Sequence, residues 1–175
     1  APLPLDAPLM TRIHDAMFRG EDERAFKLLQ EGLTESALQH KSMPRKTTYD
    51  DQIVWGRSAV RIDLAGGWTD TPPYSLTEGG NGVNLAIEMN SQQPLQVYVK
   101  PSKDYAIICR SIDLGAIERI ETYEELRQFN RVGSPFSIPK AAMALAGFLP
   151  GFGQEEFSTL RQQLEAFGCG IEITS

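Results

Sequence analysis

The sequence predicts an α+β fold: a mixed β-sheet with helices packed on one face, preceded by short helices. Three observations predict it. Between Ile53 and Thr122 the apolar residues come in short or alternating runs broken by glycine, the pattern of strands. From about Thr122 to Phe167 the apolar spacing lengthens to the helical period. After Gly168 a last apolar run, Cys169 to Thr174, returns to strand character. Several strands followed by helices that must cover them give the α+β arrangement.

The elements follow in order. Residues 11 to 41 read as short helices, with Ile13, Met17, Ala25, Leu28 and Leu29 at helical spacing. Gly20 and Gly32 are read as stops, and Thr34 as the cap of a further turn or two reaching about His40. The stretch KSMPRKTTYDDQ is polar, carries a proline and has no period, so it reads as a linker or as a strap. This places a helical segment and linker at 1–50 and a second region at 51–175. Ile53 to Trp55, Ala59 to Leu64, Val83 to Met89, Leu95 to Lys100, Tyr105 to Cys109 and Ala116 to Thr122 read as strands. Leu95, Val97 and Val99 fall on one side of theirs. The Gly79-Gly80-Asn81-Gly82 segment lies between strands and reads as a hairpin turn.

A short helix is predicted from Thr122 or Tyr123 to Phe129, and an apolar one over Lys140 to Leu149 with Pro139 near its start and Ser137 as its cap. A third runs from Glu155 to Phe167, with Phe157, Leu160, Leu164 and Phe167 on one face and Gly168 ending it. The final strand is read either as a short C-terminal edge strand or as a sign that the chain is half of a domain.

Composition narrows the function. The 175 residues suffice for one domain with a core, or a domain with an appendage. A net charge of −6 argues against a nucleic-acid partner, which favours a basic face. No run is long and apolar enough to cross a bilayer, so no membrane role is expected. The opening APLPLDAPLM has no basic segment before an apolar core, so it is not read as a signal peptide; without an initiator Met it is read as a boundary inside a longer polypeptide. Cys109 and Cys169 sit in apolar contexts and suit a reduced pair in a cytoplasmic protein.

One stretch carries chemistry: RIDLAGGWTDTPPY, residues 61–74. Gly66-Gly67 allows a sharp turn and a close approach of the backbone to a ligand. Pro72-Pro73 stiffens the loop that follows. Asp70 is a good acceptor for hydroxyl groups and Trp68 offers a flat apolar face, a pairing that suits a sugar. The same residues also make an ordinary exit from a strand, with Asp70 capping the turn. Arg61 and Asp63, two apart on a strand, share a side and can form a structural ion pair.

RIDLAGGWTDTPPYSLTEGGNGVNLAIEMN resembles the first motif of the GHMP kinase superfamily, which phosphorylates galactose, homoserine, mevalonate and similar small molecules. Arg61, Leu64, Gly66, Thr69 and Asp70 match its pattern in register. The form Gly-Gly-Trp-Thr-Asp-Thr-Pro-Pro, followed by a Gly-Gly turn and Val-Asn-Leu-Ala-Ile, is similar to the L-fucokinases, including the kinase half of bifunctional fucokinase/GDP-fucose pyrophosphorylases. Galactokinases carry Glu-His where this chain has Gly67-Trp68.

The resemblance implies transfer of the ATP γ-phosphate, with Mg²⁺, to the anomeric hydroxyl of L-fucose. By it, Asp70 binds sugar hydroxyls, and Gly67, Trp68, Thr69 and Tyr74 form the substrate pocket around it. Arg61 is catalytic, neutralising charge on the transferring phosphoryl group or lowering the acceptor's pKa. In such kinases a strand like GIEITS precedes a glycine-rich phosphate loop. The chain is therefore expected to be the front part of a kinase domain, inactive alone, with the rest of that domain and an upstream nucleotidyltransferase region as partners. Cofactor-binding residues are not assigned, and no metal ligands are expected. The rival readings are a heptose-phosphate kinase, which would need basic residues that Trp68 to Glu78 lacks, and a non-catalytic sugar-binding module.

Overall fold

The structure, a computed structural model, describes residues 3–71, 74–131 and 133–175, with the backbone alone for Ser36, Leu76 and Thr77. The Pro72-Pro73 expectation lies outside the described residues. In chain order the elements are α1 (Leu9–Phe18), α2 (Asp22–Leu38), β1 (Val54–Ser58), β2 (Val60–Ala65), α3 (Tyr74–Thr77), β3 (Val83–Ile87), β4 (Leu95–Ser102), β5 (Ile107–Ser111), β6 (Ala116–Ile120), α4 (Tyr123–Leu126), α5 (Ser137–Met143), α6 (Leu160–Phe167) and β7 (Gly170–Thr174). The class is α+β with a mixed sheet, as the pattern predicts. The chain packs as two compact units, residues 1–47 with 120–168, and residues 48–119 with 169–175. By packing, most of the later helical stretch therefore groups with the N-terminal segment rather than with the strands before it.

In the first unit, α1 and α2 bury Ile13, Ala16, Ala25 and Leu28 between them, with Leu9, Met17 and Leu29 packed around. Gly32 does not stop a helix: α2 runs through it and through Thr34. A Cβ at Gly32 would run into the Leu9 side chain, so the glycine serves close packing of α1 rather than termination. Residues 41–46 form a strap. Ser42 pairs with Gly153, its N–H donates to Phe152 O at 2.9 Å, and its hydroxyl donates to Leu145 O at 2.9 Å.

Thr122 caps α4, accepting from Glu125 N–H, while the Glu125 carboxylate accepts the N–H of Thr122 at 3.0 Å and of Glu121 at 2.7 Å. Those donors hold the Glu125 carboxyl below its ordinary value. Ser137 does not cap α5; its hydroxyl donates to Arg131 O. The helix predicted from Glu155 begins only at Leu160, because Thr159 supplies the cap that residues 155–158 lack, and Gly168 ends it in the left-handed conformation. A buried chain of bonds ties the unit together: Tyr123 OH donates to Gln163, and Gln163 Nε2 donates to Gly147 O at 2.8 Å.

The second unit holds two sheets. The larger has the order β1-β4-β7-β5-β6. β4 runs antiparallel to β1 and β7, and β5 runs parallel to β7. β7 is thus an internal strand of this sheet and not the edge strand of the first reading. One face carries Ile107, Cys109, Ile171 and Ile173, all buried, and continues to Val54, Leu95 and Val97, which are exposed. The other face is polar and aromatic. Trp55 stacks on Tyr98 at 5.5 Å, Arg57 lies over Trp55, and Glu172 holds Arg110 and Lys100. The smaller sheet is the antiparallel ribbon β2–β3.

Candidate sugar-facing loop on the β2–β3 ribbon

The ribbon has two unlike faces because strand residues alternate. Val60 and Ile62 pair with Ile87 and Leu85 on an apolar face. Arg61 and Asp63 pair with Ala86 and Asn84 on the other. Register shifts between Asp63 and Ala65, a bulge at Leu64 that adds one residue to β2 just before the glycine turn. Such bulges re-aim the chain and collect beside functional sites.

The connection from β2 to β3 spans residues 66–82, longer than a tight hairpin turn. Gly66 has φ +75°, and a Cβ there would run into the Asn81 carbonyl. A Cβ at Gly80 would run into the Thr69 carbonyl. The Gly79 to Gly82 segment is therefore the returning limb of a folded loop, lying against Gly66 and Thr69, and not a two-residue hairpin turn. Gly80 is required there because the two backbones are in close contact. Thr69 N–H donates to Gly66 O at 3.1 Å and Thr71 N–H to Trp68 O at 3.1 Å. The Thr69 hydroxyl reaches both Gly66 O, at 2.6 Å, and Asn81 O, at 3.1 Å. This hydroxyl ties the two limbs together.

Trp68 sits at φ +70°, in the left-handed region, with its side chain 83% exposed. A bulky non-glycine residue there is strained by roughly 1–2 kcal/mol. An indole that is both strained and solvent-facing is not placed for packing. Asp70 is exposed, and among the described residues its carboxylate makes neither a hydrogen bond nor an ion pair. The turn is closed by backbone bonds instead, so the capping role open to Asp70 is not taken up. Tyr74 opens α3, also exposed.

Arg61 is ion-paired to Asp63, Nε to Oδ1 at 3.2 Å, on an exposed face. Asp63 Oδ2 lies 3.5 Å from where a Gly67 Cβ would stand, so the carboxylate faces the glycine turn. The structure thus pairs Arg61 with Asp63 beside the Gly67 turn, and ties Thr69 to Gly66 and to the returning limb at Asn81. Trp68, Asp70 and Tyr74 follow on the same loop. Asn84, opposite Asp63 and on its face, was not singled out by the sequence; the strand alternation would have marked it once β3 was paired with β2. A separate cavity of about 290 Å³ lies in the first unit between the strap and α6, lined among others by Arg45, Lys46, Phe157 and Phe167. It contains none of these loop residues. Among the described residues no cluster of three or more His, Cys, Asp or Glu could hold a metal ion. No helix among them is long and apolar enough to cross a membrane.

The chain is 55% identical, over 98% of its length, to a Bacteroides fragilis protein named L-fucokinase/L-fucose-1-P guanylyltransferase. It is similar to the fucokinases. A second relative, the Arabidopsis thaliana bifunctional fucokinase/GDP-fucose pyrophosphorylase, is 32% identical over 56% of the chain. The chain spans 19% of the first relative's length and 9% of the second's. No family model matches the sequence.

Proposed function

We propose that this chain is the sugar-facing segment of an ATP-dependent L-fucose 1-kinase of the GHMP superfamily, within a bifunctional enzyme that also carries a nucleotidyltransferase region. Residues 51–175 belong to the front of the kinase domain and residues 1–50 lead into it. The observation that carries the reading is the 55% identity, across 98% of the chain, to a protein whose name joins both activities. The loop fits it. A strained, exposed indole beside a carboxylate that makes no bond among the described residues is suited to a sugar, whose ring offers a C–H face and polar edges.

In this reading Trp68 and Tyr74 cover the sugar ring and Asp70 accepts its hydroxyl hydrogens. Gly67 lets the ring approach the backbone, and Thr69 holds the loop closed through Gly66 and Asn81. Arg61 presents a permanent positive charge to the phosphoryl oxygens as the bond from the γ-phosphorus to the sugar oxygen forms and ADP leaves. Mg²⁺ would supply charge neutralisation on the phosphates. The described residues offer it no cluster of three or more His, Cys, Asp or Glu.

The test is sugar-dependent ADP release by the full-length enzyme, with L-fucose compared against a heptose phosphate. Turnover with L-fucose that Arg61→Ala lowers roughly a hundredfold, with sugar affinity retained, supports the reading. Preference for the heptose phosphate, or no turnover with either, overturns it.

A further inference from the structure

The cavity between the strap and α6, about 290 Å³, is lined by none of the loop residues 61–74. Its strap wall starts from a fixed point. Gln154 N–H donates to Ser42 O at 3.0 Å, Ser42 N–H to Phe152 O at 2.9 Å, and Gln154 Nε2 to Lys41 O at 3.2 Å. Opposite stands Gln163 on α6, which lines the cavity and is only 5% exposed. A backbone carbonyl can only accept, so the bond to Gly147 O fixes which end of this amide is the nitrogen. The amide oxygen is then left to accept from Tyr123 OH, at 3.0 Å. The amide nitrogen carries two hydrogens and Gly147 takes one. The second finds no acceptor among the described residues. A buried donor left over in this way costs free energy until something accepts from it.

The rest of the lining is chemically mixed. Phe157 and Phe167 offer flat apolar faces, and Phe167 is held edge-to-face by Phe148 at 5.1 Å. Arg45 is exposed and makes no ion pair among the described residues; its Nη2 touches only the soft acceptor Met43 Sδ, at 3.6 Å. Lys46 adds a second positive charge and Glu155 one carboxylate.

We propose that this cavity binds a nucleoside monophosphate. The base lies against Phe157 and Phe167 and accepts the second Gln163 N–H. The ribose hydroxyls donate to Glu155, and the phosphate rests on Arg45 and Lys46. A bare anion would leave the phenyl faces and the buried donor unused. An apolar guest would leave two cations and a carboxylate without partners. The size agrees, since small-molecule sites begin at about 300 Å³ and this cavity stands at that lower end. The phosphate is the part that reaches the open rim, where a guanidinium grips two oxygens at once. The inference does not rest on the kinase reading.

The experiment is photolabelling of the full-length enzyme with azidoadenosine monophosphate, followed by peptide mapping, with AMP, adenosine and inorganic phosphate as competitors. Label is expected on residues 41–47 or 153–167, and AMP should displace it about tenfold more effectively than adenosine or phosphate. Arg45→Ala and Phe157→Ala should each weaken AMP about tenfold, with the melting temperature of Arg45→Ala unchanged. Gln163→Leu should weaken AMP as well, and its melting temperature is recorded beside it because Gln163 also holds Tyr123. If that variant melts early, Arg45→Ala and Phe157→Ala decide. Label confined to other peptides overturns the inference, as does label here that AMP does not displace. Displacement by phosphate as effective as by AMP makes the site an anion patch, and equal displacement by adenosine removes the phosphate contact; either result overturns the assignment. Full AMP affinity in both Arg45→Ala and Phe157→Ala overturns it too. Turnover with L-fucose enters none of these outcomes, so failure of the kinase reading leaves this test unchanged.

Discussion

Replacing Trp68 by glycine separates what the indole costs the fold from what it does on the loop. Trp68 holds φ +70°, which glycine adopts freely and an L-residue adopts at roughly 1–2 kcal/mol. The side chain is 83% exposed, so little apolar burial is lost with it. Glycine gives back about 0.5–1 kcal/mol through the greater freedom of the unfolded chain. The balance runs from near zero to a gain of about 1.5 kcal/mol for Trp68→Gly. For a chain of this size that leaves the melting temperature unchanged or raises it by up to about 6 °C. Trp68→Ala is the control, because it removes the indole and keeps the strain, and it should leave the melting temperature nearly unchanged. Calorimetric melts of the 175-residue chain measure both. Titration of L-fucose into the full-length enzyme should show weaker binding for both variants alike. A Trp68→Gly protein that melts several degrees early would show that the indole packs. Unchanged fucose affinity in both variants would show that the strain serves no ligand.

Further outcomes are expected. Asp70→Ala should weaken fucose binding by roughly 1.5–3 kcal/mol, the loss of a charge-assisted hydrogen bond; calorimetry on the full-length enzyme checks it, and an unchanged Kd removes Asp70 from the site. Gly66→Ala places a Cβ against the Asn81 carbonyl at φ +75° and should cost more than about 1 kcal/mol, read as an earlier melt with weakened sugar binding. Thr122→Ala removes the cap of α4 and should cost about 1 kcal/mol by denaturant titration. Glu125 is held low by the Glu121 and Thr122 N–H groups, so the unfolded chain takes up its proton at a higher pH than the folded one. Its contribution is complete above its ordinary value of 4.5 and is lost as pH falls from there through the depressed folded value. Glu125→Gln should flatten the stability profile in that acid window, and an unchanged slope would show that the carboxylate is not held.

The sequence carried the elements whose signals are local. Alternating runs marked the strands, Gly168 marked the end of α6, and Thr122 or Tyr123 marked the start of α4. It misread positions where a distant partner decides. Gly32 reads as a stop in isolation, but its missing side chain makes room for Leu9. Ser137 reads as a cap, but its hydroxyl is taken by Arg131 O. The Gly79 to Gly82 segment reads as a hairpin turn until Gly66 and Thr69 are found packed against it. Much of the candidate loop was legible because its residue types are unusual together. The Arg61–Asp63 ion pair was legible from strand alternation, whereas the left-handed backbone of Trp68 was not, since it depends on how the turn closes.

The place of β7 has a consequence for the order in which the molecule is made. β4 and β5 are separated by only residues 103–106, yet they are not neighbours; the strand between them is residues 170–174. While the ribosome extends the chain from β5 to Gly170, the flanking strands have no shared ladder. The parallel pairing of β5 with β7 must close a connection through residues 112–169. Assembly of this sheet therefore waits on a late, long-range event and should be slow, of the kind that high contact order imposes. Until then the inward edges of β4 and β5 are open to pairing with other chains. Cells making this protein would meet that hazard at every round of translation, and a pulse-labelled nascent chain arrested before Gly170 should be more protease-sensitive across residues 95–111 than one released after Thr174.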